Sequence, residues 1–194
     1  MRSAYLTLED FFTVRLRRWQ RPHLLRLIGP GPETRILDVG GGTGAATSAY
    51  TAGSREVVIL EPSRKKVDHG RRQRSGIRFA EGTAEEIPFP DGSFDRVVSL
   101  ASFHHFRDQA RGLREIHRVL NEGGRLVIFD VDPGTSQGKV SRFFENDVMG
   151  NGCTFSDPAR TRDLAVGAGF AEVSVQPVGP GYFLSASKAP APAQ

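Results

Sequence analysis

The sequence predicts an α/β fold built on an open, mostly parallel sheet. From residue 35 onward, short apolar segments suited to buried strands alternate with segments of helical character. A series of this kind needs crossover connections, which place helices on both faces of a parallel sheet. A loop with four glycines in five positions, residues 40–44, directly follows the first strand. In open α/β folds, ligands bind at this carboxyl edge of the sheet.

The N-terminal part, residues 5–28, is predicted to be a helical segment divided at Pro22 and ended by the glycines and prolines of residues 29–32. Five strands with helices between them are then expected at residues 35–39, 57–60, 78–81, 95–100 and 125–130. A short helix is predicted at residues 140–146, and another follows Ser156-Asp157-Pro158, where an N-cap precedes proline.

Two last strands are predicted at residues 169–175 and 181–186. The short Pro/Gly turn between them requires antiparallel pairing. Residues 1–188 therefore form a single predicted domain, and the Ala/Pro-rich residues 189–194 are expected to be a disordered tail.

The composition indicates an ordinary globular protein. Of the 194 residues, 38% are hydrophobic and 25% are charged, with a formal net charge of +4. No apolar run approaches the roughly 18 residues that a membrane span needs, and the N-terminus lacks the apolar core of a signal peptide. The single cysteine, Cys153, excludes an internal disulfide and a cysteine-rich metal site. A cytoplasmic location is the resulting expectation.

The glycine-rich loop predicts that a ligand comes close to the backbone, because glycine tolerates positive φ and has no Cβ. Glu61 ends the second strand about twenty residues after the loop, where a carboxylate can accept hydrogen bonds from both hydroxyls of a ribose. The two features together predict a cofactor that contains a nucleoside.

Two kinds of cofactor fit the loop. Gly40, Gly42 and Ala45 satisfy the G-x-G-x-x-G/A dinucleotide pattern, which leaves a nicotinamide-dependent oxidoreductase as an alternative. Asp38, two residues before the first glycine, instead favours a cationic ligand over a pyrophosphate. S-adenosylmethionine has an ammonium, a sulfonium and no phosphate, so it suits this acidic strand end.

Five segments, in this order along the chain, resemble the motifs of class I S-adenosylmethionine-dependent methyltransferases. They are ILDVGGGTG at residues 36–44, EPS at 61–63, EGTAEEIPF at 81–89, SFDRVVS at 93–99 and EGGRLVI at 122–128. The resemblance is strongest to the subgroup with the ubiquinone and menaquinone biosynthesis enzymes. It implies a Rossmann-like sheet of order 3-2-1-4-5-7-6 with one antiparallel strand near the C-terminus. It also implies methyl transfer to an oxygen, nitrogen or carbon nucleophile, most simply of a small molecule.

The resemblance further implies which residues hold the cofactor. Asp38 and Thr43 would anchor its amino and carboxylate ends. Glu61 would hold the ribose diol, and Thr83 and Ala84 would contact the adenine edge. Relatives often have aspartate where Thr83 stands, which implies that the adenine contact here is either weaker or made by the neighbouring backbone amide. The full set of implied cofactor-binding residues is Asp38, Gly40, Gly42, Thr43, Gly44, Glu61, Pro62, Thr83, Ala84, Ser99 and Ala101.

His104 and His105 follow the fourth strand at the carboxyl edge of the sheet, and they are the candidate catalytic residues. Because adjacent side chains of an extended backbone point in opposite directions, at most one of them should face the methyl group. A metal site made of these histidines and Asp108 is disfavoured, since the ligands are too close in sequence for easy tetrahedral geometry. We expect no metal. Cys153 is expected to lie far from the fourth strand.

The acceptor region is short, which suggests a lid made by Tyr5, Phe11 and Phe12 or a pocket completed by a second copy in a homodimer. Arginine clusters leave RNA or protein as alternative acceptors. DNA modification is disfavoured, because the chain has neither a Pro-Cys pair nor the Asp/Asn-Pro-Pro-Tyr/Phe pattern of DNA methyltransferases, and nucleic acid is not the expected partner. A non-catalytic cofactor-binding protein of the same fold is a further alternative.

Overall fold

The computed structural model describes residues 18–190, which contain one seven-stranded sheet of order β3-β2-β1-β4-β5-β7-β6. This confirms the predicted fold class and strand order. The strands are β1 (Arg35–Val39), β2 (Glu56–Glu61), β3 (Arg78–Glu81), β4 (Phe94–Leu100), β5 (Leu120–Val131), β6 (Ala171–Val178) and β7 (Gly181–Ser187).

The first five strands pair in parallel, so their carboxyl ends meet at one edge of the sheet. β7 runs antiparallel to both of its neighbours, β5 and β6. Only two residues separate β6 from β7, and a loop that short allows antiparallel pairing alone. The predicted single antiparallel strand near the C-terminus is therefore confirmed.

Within residues 18–190, five α-helices accompany the sheet: α1 (Arg21–Ile28), α2 (Arg64–Gln73), α3 (Gln109–Val119), α4 (Ser136–Phe143) and α5 (Pro158–Gly167). Short 3-10 helices lie at Arg18–Gln20, Thr47–Ala49 and Phe103–His105, and a π-helical turn lies at Phe144–Val148. The side chains of Ser63, Asp108, Thr135 and Asp157 cap helices α2 to α5 by accepting a backbone N–H of the first turn.

Helices pack on both faces of the sheet because successive strand residues point to opposite sides. In β1, Ile36 belongs to the core cluster that contains Leu24 and Ile28 of α1. Leu37 belongs to the cluster on the other face, with residues of α3 and α5. β2 and the edge strand β3 meet α2 through a small cluster of their own. No helix in the described part of the chain is long and apolar enough to cross a membrane.

The expectation of a helix in every connection is wrong in two places. Residues 40–55 contain only the 3-10 turn Thr47–Ala49, and residues 82–93, all of them described, contain no helix. In the first connection, the hydroxyls of Ser48 and Thr51 donate to the carbonyls four residues earlier and thereby compete with helical bonding. In the second, Pro88 and Pro90 lack the N–H groups that a helix needs.

Of the predicted N-terminal helical segment, the structure confirms α1, in which Pro22 occupies the first turn. Residues 5–17, including the suggested lid residues, lie outside the described residues, and so do residues 191–194.

Tyr182 of β7 anchors the segment that precedes α5. Its buried hydroxyl lies 2.9 Å from the carbonyl oxygen of Ser156 and 2.7 Å from the Thr161 hydroxyl. Replacing Tyr182 by phenylalanine leaves both partners short of a bond and should cost about 1–3 kcal/mol in the free energy of unfolding. Urea denaturation measures this loss. The control Ser93→Ala removes an exposed hydroxyl bond to Pro90 and should cost less; equal losses would contradict the anchor.

Candidate functional site

The glycine-rich loop turns sharply at the end of β1. Gly40 has a φ of 77° and Gly42 one of 62°, values that other residues rarely adopt. A Cβ on Gly40 would lie 2.5 Å from Cβ of Ser102, so the loop passes too close to the end of β4 for any side chain. A Cβ on Gly42 would meet no protein atom within 4 Å. The backbone at Gly42 therefore faces open space where a ligand fits.

Asp38 places a buried carboxylate beside this loop. The side chain is 1% exposed, and its Oδ2 accepts hydrogen bonds of 2.6 Å from the hydroxyls of Thr47 and Tyr50. Both donors come from the connection after β1, which contains no α-helix. The unusual course of that connection thus fixes the orientation of the acid.

Glu61 fixes the other side of the loop. Its Oε2 accepts the N–H of Gly42 at 3.2 Å, and its Oε1 accepts the N–H of Ser63 at 3.0 Å. The residue is 7% exposed and ends β2 at the carboxyl edge of the sheet. A carboxylate has about four acceptor positions, so two bonds to the backbone leave capacity for the hydroxyls of a ribose.

A cleft of about 740 Å³ brings the predicted cofactor residues together. Nine of the predicted residues line it: Asp38, Gly40, Gly42, Thr43, Glu61, Pro62, Thr83, Ala84 and Ala101. Gly44 and Ser99 do not. A Cβ on Gly44 would lie 2.8 Å from Cδ1 of Ile59, so this glycine serves close packing on β2. A cofactor contact by either residue stays a prediction.

Ser99 is buried and supports the cleft without lining it. Its buried hydroxyl lies 2.7 Å from that of Ser102, which donates to the carbonyl of Val39 at 2.8 Å. These two hydrogen bonds join the ends of β1 and β4. Between the two serines, Ala101 has a positive φ of 48°, a conformation that strains a residue with a side chain. Ala101 itself lines the cleft.

The two candidate catalytic histidines lie side by side, with ring centroids 4.2 Å apart, but they differ in exposure. His105 is exposed and lines the cleft. His104 is buried outside the cleft lining, with its Nδ1 2.7 Å from Oδ1 of Asp130. Both lie in the 3-10 helix Phe103–His105, so the expected extended backbone with opposed side chains is wrong, although only His105 lines the cleft. Desolvation by the surrounding protein, with a smaller effect of His104, lowers the pKa of His105.

Cys153 lies next to these histidines, contrary to the expectation that it is remote from the fourth strand. Its Sγ is 3.0 Å from Nδ1 of His105. Burial, together with the charges of Glu145 and Asp130, raises the pKa of the thiol to about 11. Asp108, considered with the histidines as a ligand, instead caps α3 by accepting the N–H of Arg111 at 2.9 Å. No sequence pattern connects Cys153 with residues 48 positions earlier.

The charges of the cleft suit a cationic cofactor. The lining includes four carboxylates and two cationic side chains: Asp38, Glu61, Glu85, Glu145, Lys66 and Arg107. Such a balance disfavours a pyrophosphate and favours an ammonium and a sulfonium. The space above Gly42 and the two acids that flank the loop fit S-adenosylmethionine.

Comparison with known proteins supports the same assignment. Residues 37–128 match the model of a family described as methyltransferase domain. The chain is 38% identical over 144 residues to a demethylmenaquinone methyltransferase of Deinococcus radiodurans, covering 69% of this chain and 58% of that protein. It is 32% identical over 156 residues to the chloroplastic 2-methyl-6-phytyl-1,4-hydroquinone methyltransferase of Arabidopsis thaliana, covering 78% of this chain and 44% of that protein. The chain thus spans about half the length of these curated relatives.

Among solved structures, a SAM-dependent methyltransferase from Thermotoga maritima has the same fold, with a TM-score of 0.73 at 23% identity. The alignment covers 92% of this chain and 97% of the other. The motifs, the strand order and these similarities agree. The chain belongs to the class I S-adenosylmethionine-dependent methyltransferases.

Proposed function

We propose that this protein transfers the methyl group of S-adenosylmethionine to a small molecule with a hydroquinone-type ring. The observation that carries the proposal is a single cleft in which the glycine loop and its two acids share space with apolar side chains. Phe106, Phe144 and Met149 line the same cleft as Asp38 and Glu61. The named activities of the relatives in Deinococcus radiodurans and Arabidopsis thaliana support a ring of this class.

In this proposal, the residues around the loop bind the cofactor. Asp38 holds the ammonium, because its carboxylate is already oriented by two hydroxyl donors. Glu61 accepts hydrogen bonds from the ribose while it holds Gly42. Thr43, Pro62, Thr83, Ala84 and Ala101 complete the walls.

The proposed acceptor contact is His105, since its exposed side chain lines the cleft. His104 is a positioning residue: it is stacked on Phe155, with ring centroids 4.4 Å apart, and is bound to Asp130. Of the two histidines, only His105 lines the cleft, whereas His104 is buried.

The bound cofactor supplies a methyl group that its sulfonium already activates. The protein therefore needs to align the acceptor and to exclude water, and these two effects dominate such a transfer. The loop at Gly40 holds the cofactor, and the apolar side chains and His105 confine the acceptor. A hydroquinone becomes a good nucleophile at oxygen or at the adjacent ring carbon once one hydroxyl loses its proton.

An assay of methyl transfer from labelled S-adenosylmethionine tests the proposal. We expect methylation of an alkylated hydroquinone and little transfer to amines, RNA or protein. Transfer to RNA that collapses with added salt would replace the small-molecule acceptor with the nucleic-acid alternative. Binding of S-adenosylhomocysteine without transfer to any acceptor would support the non-catalytic alternative, and a melting shift with NAD alone would support the oxidoreductase.

Three further expectations are also proposals. We infer a single domain over residues 1–188, a cytoplasmic location and a homodimer that completes the short acceptor region. The free Cys153 is consistent with a reducing compartment. Sedimentation at several protein concentrations would measure the oligomeric state.

A further inference from the structure

Three metal-binding side chains converge beside the cleft. His104, His105 and Cys153 each offer one ligand atom, and these atoms all lie within 4.8 Å of one another. Sγ of Cys153 and Nδ1 of His105 are 3.0 Å apart. Imidazole nitrogens and a cysteine sulfur are the ligands that zinc prefers in proteins.

The backbone of the cysteine is held in place from both sides. Oδ1 of Asn146 accepts the N–H of Cys153 at 2.6 Å, and Nδ2 of the same asparagine donates to the carbonyl of Cys153 at 2.9 Å. The next residue, Thr154, donates its N–H to the carbonyl of His104 at 2.9 Å. Main-chain hydrogen bonding therefore holds the segment of Cys153 against the turn that bears the histidines. The short distance from the thiol to His105 does not depend on a side-chain rotamer alone.

His104 has the support that metal-binding histidines usually have. Its Nδ1 is 2.7 Å from Oδ1 of Asp130, and its backbone N–H donates to Oδ2 of the same carboxylate at 2.9 Å. A carboxylate on one ring nitrogen fixes the tautomer and directs the other nitrogen, here Nε2, to a metal. The stacked ring of Phe155 holds the imidazole plane.

The local charge also favours a cation. The carboxylates of Glu145 and Asp130 place negative charge near the Cys153 thiol. The same charges attract a divalent ion, and an ion bound there would favour the thiolate.

We propose that His104, His105 and Cys153 bind a zinc ion, with one coordination position left for water or for an oxygen of the acceptor. Three protein ligands with an open position characterise catalytic rather than structural zinc. His105 lines the cleft, so the ion borders the space in which the acceptor is proposed to bind. A hydroxyl bound to zinc loses its proton more easily, which the proposed hydroquinone chemistry requires. The proposal departs from the expectation that the chain has no metal ligands.

Metal binding to the chelator-treated full chain tests this site without cofactor or acceptor. We expect calorimetry to show saturable uptake of a single zinc ion per chain, and cobalt to give a sulfur-to-metal charge-transfer band. Cys153→Ser should abolish the band, and His105→Ala should remove saturable uptake. Asp130→Asn should weaken zinc affinity about 10–100-fold, as expected for the support of a ligand. The control His117→Ala changes a half-buried histidine outside the cleft and should bind zinc normally.

Absence of saturable uptake by the native chain, or uptake that Cys153→Ser and His105→Ala leave unchanged, would overturn the proposal. Circular dichroism of each variant distinguishes a lost site from a lost fold. The role of the ion in methyl transfer rests on the proposed function, whereas its binding does not. Zinc uptake without methylation of a hydroquinone would therefore contradict the acceptor and leave the metal site intact.

Discussion

Replacing Gly40 by alanine should abolish measurable binding of S-adenosylhomocysteine. The left-handed conformation at φ 77° costs about 1–2 kcal/mol for a residue with a Cβ. The added Cβ would also lie 2.5 Å from Cβ of Ser102, and overpacking of this kind costs typically about 1–3 kcal/mol more. The loop must then move away from β4, which displaces the backbone that faces the ligand. Isothermal calorimetry measures the affinity, and urea denaturation measures the stability.

The control Gly53→Ala separates the effect of the left-handed backbone from the effect of the clash with Ser102. Gly53 has a φ of 84°, but a Cβ there would meet nothing within 4 Å, and the residue does not line the cleft. This control should lose about 1–2 kcal/mol of stability and keep its affinity for the ligand. If Gly40→Ala bound S-adenosylhomocysteine as tightly as Gly53→Ala, the close approach of the loop to Ser102 would not matter for the site.

Glu61→Gln should weaken binding of S-adenosylhomocysteine about 10- to 100-fold, because the ribose loses hydrogen bonding to a charged acceptor, which contributes about 1.5–3 kcal/mol. The two carboxylate oxygens accept from two different backbone groups, the N–H of Gly42 and the N–H of Ser63. A glutamine has only one carbonyl oxygen, so its NH₂ group must face one of these donors. The loop loses a bond, and the ribose loses a charged acceptor.

Glu85→Gln is the matched control. Glu85 also lines the cleft, but a single oxygen, Oε1, accepts both of its recorded bonds, from the N–H groups of Arg107 and Asp108. A glutamine can reproduce this arrangement with its carbonyl oxygen. We expect calorimetry to give nearly unchanged affinity for Glu85→Gln; an equal loss in both variants would indicate a general effect of charge in the cleft.

The local sequence was sufficient to predict that most of the proposed cofactor residues share one edge of the sheet. Asp38, the glycines and Glu61 lie at the ends of adjacent parallel strands, and the order of those strands brings them to one edge. Apolar runs determine such strands, and the four glycines of residues 40–44 indicate a loop without side chains. The same logic placed His104 and His105 at this edge, after β4.

Contacts between distant segments were not predictable in this way. Cys153 reaches His105 through a loop whose course depends on Asn146 and Thr154, and a lone cysteine has no periodicity. Asp130 was read as the end of a strand, although its carboxylate binds His104. The connection after β1 has the length of a helix, yet its hydroxyls find better partners in Asp38 and in nearby carbonyls. Tertiary bonding of this kind overrides local propensity.

The two hydroxyl bonds to Asp38 have a consequence for the energetics of ligand capture. A carboxylate in water must shed solvent and stop rotating before it can pair with a cation, and that reorganisation reduces affinity. Thr47 and Tyr50 have already desolvated and immobilised the carboxylate of Asp38 during folding. The cleft is thus preorganised for positive charge before any ligand arrives, and folding stability has supplied what binding would otherwise have to provide.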